Sequence, residues 1–271
     1  MNRKSIKKET KIIKKEKLAT DIYRMSFETD LCKDAKPGQF VMIYPPDKAK
    51  LLGRPICIAS ADEEKLDIVF RVIGKGTKEI TACNAGDVLC IEGPLGNGYP
   101  MDEDTIRDKS LVLLGGGLGA PSLLFLAEKL TGKDSNDRVY KGITAILGYR
   151  DISLNHFLAE DFEKLGIKTI IATDDGSEGI HGNVIDAVKS EGIKADIIYA
   201  CGPMPMLSAV KKYAAENKAE AYISLEERMA CGVGVCLGCV TKTVNKDAHS
   251  GVNNARVCTE GPVFDACEVD I

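Results

Sequence analysis

Short apolar runs separated by turn residues make up the chain up to about residue 107. Four runs cover residues 22–27, 40–44, 66–72 and 88–92, and Pro-Gly, Pro-Pro and Gly-Pro pairs punctuate them. Strand-length runs at this spacing are typical of a small antiparallel barrel or sandwich. Nearer the start, lysines are interleaved with Ile12 and Ile13, which we interpret as an edge strand protected from further pairing by its charge.

The pattern changes at Ser110, where compact apolar runs begin to alternate with segments of helical spacing. The runs cover residues 111–114, 143–147, 167–172, 197–200 and 221–225. Alternating strands and helices predict a parallel, doubly wound α/β sheet, whose ligands lie at the carboxyl ends of the strands. Asp161 and Glu163 fall on one helical segment, and we interpret them as a solvated helix face.

After Leu225 the periodicity stops. The last 46 residues hold five of the ten cysteines, many glycines and too little apolar sequence for a core of their own. Something other than apolar burial is therefore expected to organise them. The patterns predict three regions that pack together, namely residues 1–107, 108–224 and 225–271.

Composition and charge narrow the classes of function. With 271 residues, 44% hydrophobic and 28% charged, the chain can form ordinary cores, which excludes a disordered or collagen-like protein. The net charge of −4 leaves no basic field for nucleic acid or anionic lipid. The first 17 residues lack the apolar segment of a signal peptide, and no run reaches the roughly 18 apolar residues of a membrane span. We therefore expect a cytoplasmic protein with reduced thiols, whose cysteines are ligands or small buried hydrophobes.

Four of the cysteines have a spacing that indicates metal chemistry. Cys231, Cys236, Cys239 and Cys258 read C-x4-C-x2-C-x18-C, and the first three match the plant-type 2Fe-2S pattern. Glycines at positions 232, 234 and 238 suit a loop whose N–H groups approach the cluster sulfurs.

Two alternatives remain for this cluster of cysteines. The first is that the cysteines form a four-thiolate zinc site, or are buried and bind no metal. Zinc ribbons, however, prefer two C-x2-C pairs, and only one is present. The second is that Cys267 replaces Cys258 as the fourth ligand. We favour Cys258 because Cys267 lies near a chain end that is expected to fray.

Two segments of the first region have the character of a pyrophosphate site. One is Arg54-Pro55-Ile56-Cys57, and the other runs from Arg71 through a glycine-rich turn into a helix predicted at residues 77–83. The free N–H groups of such a helix, with Arg54, Arg71 and Lys75, suit a pyrophosphate, and a solvated hairpin is the alternative for either segment.

Two glycine-containing loops of the second region are expected to border one crevice. Residues 115–121, Gly-Gly-Gly-Leu-Gly-Ala-Pro, follow the first strand of the sheet, and Cys201-Gly202-Pro203 ends the fourth. Residues 174–177 would lie on the same edge and hydrogen-bond a ribose, or form an acidic solvated turn. Tyr149-Arg150 could meet a 2′-phosphate, whereas Asp151 favours NAD, so the sequence leaves NAD and NADP open.

In this order, the motifs resemble the ferredoxin-NADP reductase superfamily and, within it, the family of dihydroorotate dehydrogenase B electron-transfer subunits. The resemblance covers essentially the whole chain and is most specific at residues 225–232 and 257–264. It implies that the four cysteines hold a 2Fe-2S cluster. It implies FAD binding by Arg54, Pro55, Ile56, Cys57, Arg71, Val72, Ile73, Gly76 and Thr77, and NAD binding by Gly117, Gly119, Cys201, Gly202 and Pro203. The family usually has Ser where this chain has Cys57, and a thiol is a weaker hydrogen-bond donor to a flavin.

The resemblance also implies a function and a partner. An FMN-containing dihydroorotate dehydrogenase catalytic subunit would oxidise dihydroorotate to orotate, in a heterotetramer with two copies of each chain. Electrons would then pass through the cluster and FAD to NAD+, for pyrimidine biosynthesis. This oxidoreductase role requires no acid or base from the present chain, so we assign no catalytic residue.

Two other functions compete with this one. The first is the small subunit of an NADH-dependent ferredoxin:NADP oxidoreductase, whose first cluster ligand is typically Asp where this chain has Cys231. The second is a zinc-organised interaction module without enzymatic activity, which would leave the glycine loops without a purpose.

Overall fold

The N-terminal part of the chain is a closed antiparallel barrel. In the computed structural model, which describes residues 6–47, 49–132, 138–154, 156–247 and 251–271, six strands form it in the order β1-β2-β5-β4-β3-β6. The strands are β1 (Ile6–Ala19), β2 (Ile22–Glu28), β3 (Phe40–Tyr44), β4 (Arg54–Ala61), β5 (Lys65–Arg71) and β6 (Val88–Leu95). The predicted antiparallel barrel is confirmed.

Strand β1 closes the barrel, so the prediction that this segment is an edge strand is wrong. Its first half pairs with β6 and its second half pairs with β2. Ile12 is fully buried in the barrel core. The amino group of Lys15 donates hydrogen bonds to the carbonyls of Thr81 and Cys83. The lysines therefore cover the outside of a paired strand.

A seven-stranded α/β sheet follows the barrel, as predicted. Its order is β10-β9-β8-β7-β11-β12-β15, and all its pairs are parallel except β12 with β15. The strands are β7 (Ser110–Gly116), β8 (Gly142–Tyr149), β9 (Lys168–Thr173), β10 (Ile180–His181), β11 (Ile197–Cys201), β12 (Glu220–Ser224) and β15 (Val263–Asp265). Every residue of β11 is buried, which explains its continuous apolar sequence.

Six α-helices lie among the described residues. They are α1 (Lys75–Ala82), α2 (Glu103–Ile106), α3 (Ala120–Thr131), α4 (Ala159–Lys164), α5 (Val184–Ser190) and α6 (Met204–Asn217). Helix α3 packs between sheet and barrel, and its Phe125 belongs to the barrel core. No helix in the described ranges is both long and apolar enough to cross a membrane.

An ion pair also joins the barrel to the sheet region. The guanidinium of Arg24 on β2 lies 3.0 Å from the carboxylate of Asp161 on α4, and both side chains are largely shielded from solvent. The interpretation of Asp161 as part of a solvated helix face is therefore wrong.

The C-terminal region contributes strand β15 to the edge of the sheet and forms a small hairpin of β13 (Val240–Lys242) and β14 (Asn254–Arg256). The chain end is held in place, because Val269 is fully buried and forms a bridge with Thr243. The expectation that this end frays is wrong. The C-terminal region is thus attached to one edge of the sheet through β15.

Candidate functional site

The loop between Cys231 and Cys239 directs backbone N–H groups at cysteine sulfurs. The N–H of Cys236 donates to the Sγ of Cys231, and that of Gly238 donates to the Sγ of Cys236, each over 3.4 Å. Burial raises the pKa of the Cys231 thiol, but N–H donors from Cys236, Val233 and Val235 outweigh it and bring the pKa to about 6. The loop therefore favours thiolate, the form that binds metal.

Cys258 lies in the turn that directly follows β14, close to this loop. It is buried with Cys239, and burial and a hydrogen bond with Cys239 raise the pKa of its thiol to about 12. The backbone N–H of Val257 also donates to the carbonyl of Cys239 over 2.9 Å. The structure therefore brings Cys231, Cys236, Cys239 and Cys258 together.

Cys267 has a different environment. Its thiol donates to the carboxylate of Asp265 over 2.8 Å, and this interaction raises its pKa. This contact, and not fraying, separates Cys267 from the other four.

The four sulfurs do not form a compact single-ion site. Among the described residues, no three His, Cys, Asp or Glu side chains are placed to hold one metal ion. A two-iron cluster divides its four thiolates between two metals and is larger than a zinc ion. The N–H groups aimed at sulfur also fit a cluster, because such hydrogen bonds stabilise added negative charge.

The cysteine loop rests on the outside of the barrel. Gly232 has φ +71°, and a Cβ there would lie 2.9 Å from Cγ of the buried Met42. The negative charge of the Cys231 sulfur contributes to raising the pKa of the nearby Tyr44 phenol, after burial and the hydrogen bond to Glu92. Glycine thus permits the close approach that fixes the loop relative to the barrel.

Arg54 and Gly76 meet at the start of α1, although 22 positions separate them in sequence. A Cβ on Gly76 would collide with the Arg54 guanidinium, which donates to the Leu52 carbonyl over 2.7 Å. Helix α1 begins at Lys75, two residues before the predicted start. A cation therefore lies against the first turn of a helix, an arrangement that fits a pyrophosphate.

A cavity of about 260 Å³ extends from this point between the barrel and the sheet. Most predicted FAD residues line it, namely Arg54, Pro55, Ile56, Cys57, Arg71, Ile73 and Thr77. Val72 does not, because it packs against the barrel core. The apolar and aromatic wall with a few polar groups suits a flat ring system.

The two glycine loops of the sheet are packed directly on each other. A Cβ on Gly119 would collide with the Cys201 carbonyl, and one on Gly116 would lie 2.8 Å from Cδ of Pro203. Gly117 has φ +52° with open space beside it. A crevice of about 540 Å³ follows, lined by Gly117, Gly119, Gly202 and Pro203. Cys201 is fully buried behind it, and burial raises the pKa of its thiol to about 12.

Only some of the charged residues near this crevice line it. Arg150, Asp151 and Asp174 line it, whereas Asp175 does not and instead accepts a hydrogen bond from the N–H of Ser177. The hydroxyl of Tyr149 donates to the Phe157 carbonyl over 2.8 Å, in the interior. Asp174 is thus the member of residues 174–177 that lines the crevice.

Sequence reasoning missed Glu226. This carboxyl lines the crevice, the barrel cavity and a third cavity of about 810 Å³, which reaches Gly238 in the cysteine loop. The surrounding protein raises its pKa through desolvation, although the open cavities leave the side chain accessible. Its position directly beyond strand β12, at the carboxyl edge of the sheet, was the available signal.

Two family models match the chain. The oxidoreductase FAD-binding domain matches residues 9–99, and the iron-sulfur cluster binding domain of dihydroorotate dehydrogenase B matches residues 226–270. They cover the barrel and the cysteine region respectively.

Curated relatives match over nearly the whole chain. A dihydroorotate dehydrogenase B (NAD(+)) electron transfer subunit from Shouchella clausii is 38% identical over 262 residues, which cover 95% of this chain and 96% of the relative. The corresponding subunit from Caldanaerobacter subterraneus subsp. tengcongensis is also 38% identical, covering 97% and 98%.

The fold is also similar to solved structures. A chain of the NADH-dependent reduced ferredoxin-NADP oxidoreductase matches with TM-score 0.80 and 29% identity, covering 96% of this chain and 89% of that one.

Proposed function

The chain belongs to the family of dihydroorotate dehydrogenase B electron transfer subunits, and from that membership we propose how its residues divide the work. As an oxidoreductase subunit of this family, it takes part in electron transfer for pyrimidine biosynthesis with FAD, an iron-sulfur cluster and NAD as acceptor. Residues 1–107 hold FAD, 108–224 hold NAD and 225–271 hold the cluster.

The observation that carries this division is the path of residues 226–230. This segment leaves the sheet, lines the barrel cavity beside Arg54 and then enters the cysteine loop at Cys231. This path supports an FAD site that lies between the crevice on one side and the four cysteines on the other. When bound, the cluster transfers single electrons and the flavin exchanges one or two, so together they couple to hydride chemistry at NAD.

The protein's own groups bind and orient the two nucleotides. Arg54 and the first turn of α1 hold the FAD pyrophosphate, and residues 55–57 with Ile73 and Thr77 line the place for the rest. The stacked loops line the NAD crevice with Gly119 and Gly202, where backbone can approach a phosphate closely. Cys57 lines the barrel cavity, where its thiol would be a weaker hydrogen-bond donor to a bound flavin than a serine hydroxyl.

Apolar side chains around the cysteine loop form the surface for the catalytic subunit. Val235 is 80% exposed and Leu51 is 81% exposed, with Leu237 and Leu52 also open to solvent. Leu52 and Gly238 border the same cavity, so the barrel and loop contributions lie side by side. Exposed apolar surface of this kind marks a protein interface. We assign the FMN-containing dihydroorotate dehydrogenase subunit to it, in a heterotetramer with two copies of each chain.

All ten cysteines fall within the described residues, and none of them is in a disulfide. Ten cysteines without a disulfide are typical of a reducing compartment, which supports a cytoplasmic location.

The test is to purify the tagged chain from its native cells without oxygen, together with what binds it. The visible spectrum is followed as dihydroorotate and then NAD+ are added. Bleaching of the flavin bands by dihydroorotate and their recovery with NAD+ support the proposal. Bleaching by NADH or NADPH without a response to dihydroorotate would contradict the proposal that dihydroorotate is the electron donor. It would favour a ferredoxin-linked reductase, similar to the solved structure that is 29% identical to this chain.

A further inference from the structure

One arginine connects the two parts of the chain that carry the cysteines. Arg256 ends strand β14, two residues before Cys258, and pairs across the hairpin with Val240, the residue after Cys239. Its Nη1 donates to the carbonyl of Gly234 over 3.4 Å, and Gly234 lies in the loop between Cys231 and Cys236. A single side chain therefore joins the end of β14, just before Cys258, to the loop.

The same guanidinium is fixed by a carboxylate. Both its Nε and the backbone N–H of Arg256 donate to Oε2 of Glu260 over 2.8 Å. The Glu260 N–H returns a hydrogen bond to the Arg256 carbonyl. Because both side chains are about half exposed, this ion pair contributes little to stability by itself. Its effect is to hold the direction of the guanidinium.

Arg256 lies two residues before Cys258 and is paired with Val240, the neighbour of Cys239, so its charge is close to both cysteines. Four thiolates and two bridging sulfides outweigh the charge of two ferric irons, so such a cluster would carry net negative charge, and an added electron would increase it. A fixed cation nearby stabilises that electron, since cluster potentials follow net charge and hydrogen bonding around the sulfurs.

We propose that Arg256 is a positioning residue that clamps the Cys231–Cys236 loop to the turn that carries Cys258, directly after β14, and raises the reduction potential of the cluster. The proposal rests on the four-cysteine assignment made above and adds a residue that sets the properties of that site. The Glu260 carboxylate holds the Arg256 guanidinium in place, but its negative charge acts on the cluster in the opposite direction. The two residues therefore affect the potential in opposite directions.

The experiment is a redox titration of the purified complex, following the reduced cluster by electron paramagnetic resonance. Arg256→Gln is expected to lower the midpoint potential, because it removes the cation and leaves the Glu260 charge. Glu260→Gln is expected to raise it, because the cation remains. Lys242→Gln is the matched control: it removes one exposed cation from the same hairpin, at the end of β13 that is farther from Cys239, and is expected to leave the potential unchanged.

Arg256→Lys separates charge from clamping. Lysine keeps the charge but not the planar fork, so the potential should remain near that of the unaltered complex while the resonance lines broaden. An unchanged potential in Arg256→Gln, or equal shifts in Arg256→Gln and Lys242→Gln, would overturn the proposal. If the Arg256→Gln protein does not retain its cluster, Arg256→Lys alone decides. A lowered potential in Arg256→Lys would then contradict the proposal, because lysine keeps the charge. The titration uses dithionite, so a complex that ignores dihydroorotate would contradict the proposed function and leave this inference standing.

Discussion

The sheet and the cysteine region acquire order in two different ways. Strands β7 and β11 lie at the centre of the sheet, and their apolar side chains are buried on both faces. In the cysteine region, β13, β14 and β15 are only three residues long, and Val235 and Leu237 point to solvent. Burial stabilises the first region, whereas the second depends on sulfur ligands, glycines and one sheet edge.

This difference teaches that the two halves of the electron path can be disturbed separately. The crevice lies at the ends of strands whose side chains are buried. The cysteine loop is held by what its sulfurs bind, by the barrel surface under Gly232 and by the hydrogen bond from Arg256 to Gly234. Substitutions in one region should therefore leave the chemistry of the other largely intact.

The largest expected effect is that of Cys236→Ser, which removes one ligand of the cluster. We expect electron transfer from dihydroorotate to NAD+ to stop, while NADH oxidation by artificial dyes remains largely intact because the FAD and NAD sites lie elsewhere. Both activities are measured on the same purified complex. Cys267→Ser is the control and should retain both, since a hydroxyl can still donate to Asp265. Survival of both activities in Cys236→Ser would remove the cluster from the path.

The difference between the regions also explains what the sequence predicts well. Continuous apolar runs between glycine turns place the strands of the sheet within a few residues, because burial on both faces requires them. The cysteine spacing likewise predicts a cluster, since ligand chemistry leaves its pattern directly in the sequence. The helix predicted at residues 77–83 is present, but it begins two residues earlier and ends one residue earlier, at Ala82.

Positions that depend on packing between regions were harder to predict. The lysines of β1 suggested an exposed edge, but closure of the barrel is a property of all six strands and of no single one. Glu226 has no local pattern of its own. Its role emerges only when β12 pairs beside β11 and turns the next residues across the FAD cavity.

Gly119→Ala tests the sheet side of the comparison. Its Cβ would collide with the Cys201 carbonyl, a backbone atom that cannot rotate away. We expect a destabilisation of about 1–3 kcal/mol from overpacking and a marked rise in the KM for NADH. Thermal unfolding and dye-linked NADH oxidation measure these effects. Gly142→Ala, with open space around its Cβ position, is the control. A changed cluster spectrum in Gly119→Ala would contradict the separation of the regions.

Gly232→Ala tests the cysteine side with the same chemical change. The positive φ at this position costs an alanine roughly 1 kcal/mol, and the neighbouring Met42 side chain can yield in part. We expect reduced iron content and a broadened resonance of the reduced cluster, with the KM for NADH unchanged. Iron analysis and electron paramagnetic resonance measure this. If the KM for NADH rises as much as in Gly119→Ala, the cysteine loop and the crevice are not independent.

The smallest expected effect concerns the junction that joins the barrel to the sheet. Arg24→Met, Asp161→Asn and the double substitution form a cycle that isolates the pair. Because both side chains are largely shielded, we expect a coupling of about 1 kcal/mol in the free energy of unfolding. The exposed Lys212–Glu216 pair on α6 is the control, with an expected coupling below about 0.5 kcal/mol. Equal couplings for the two pairs would mean that apolar contacts such as Phe125 hold the barrel to the sheet, and that burial orders this junction as it orders the sheet itself.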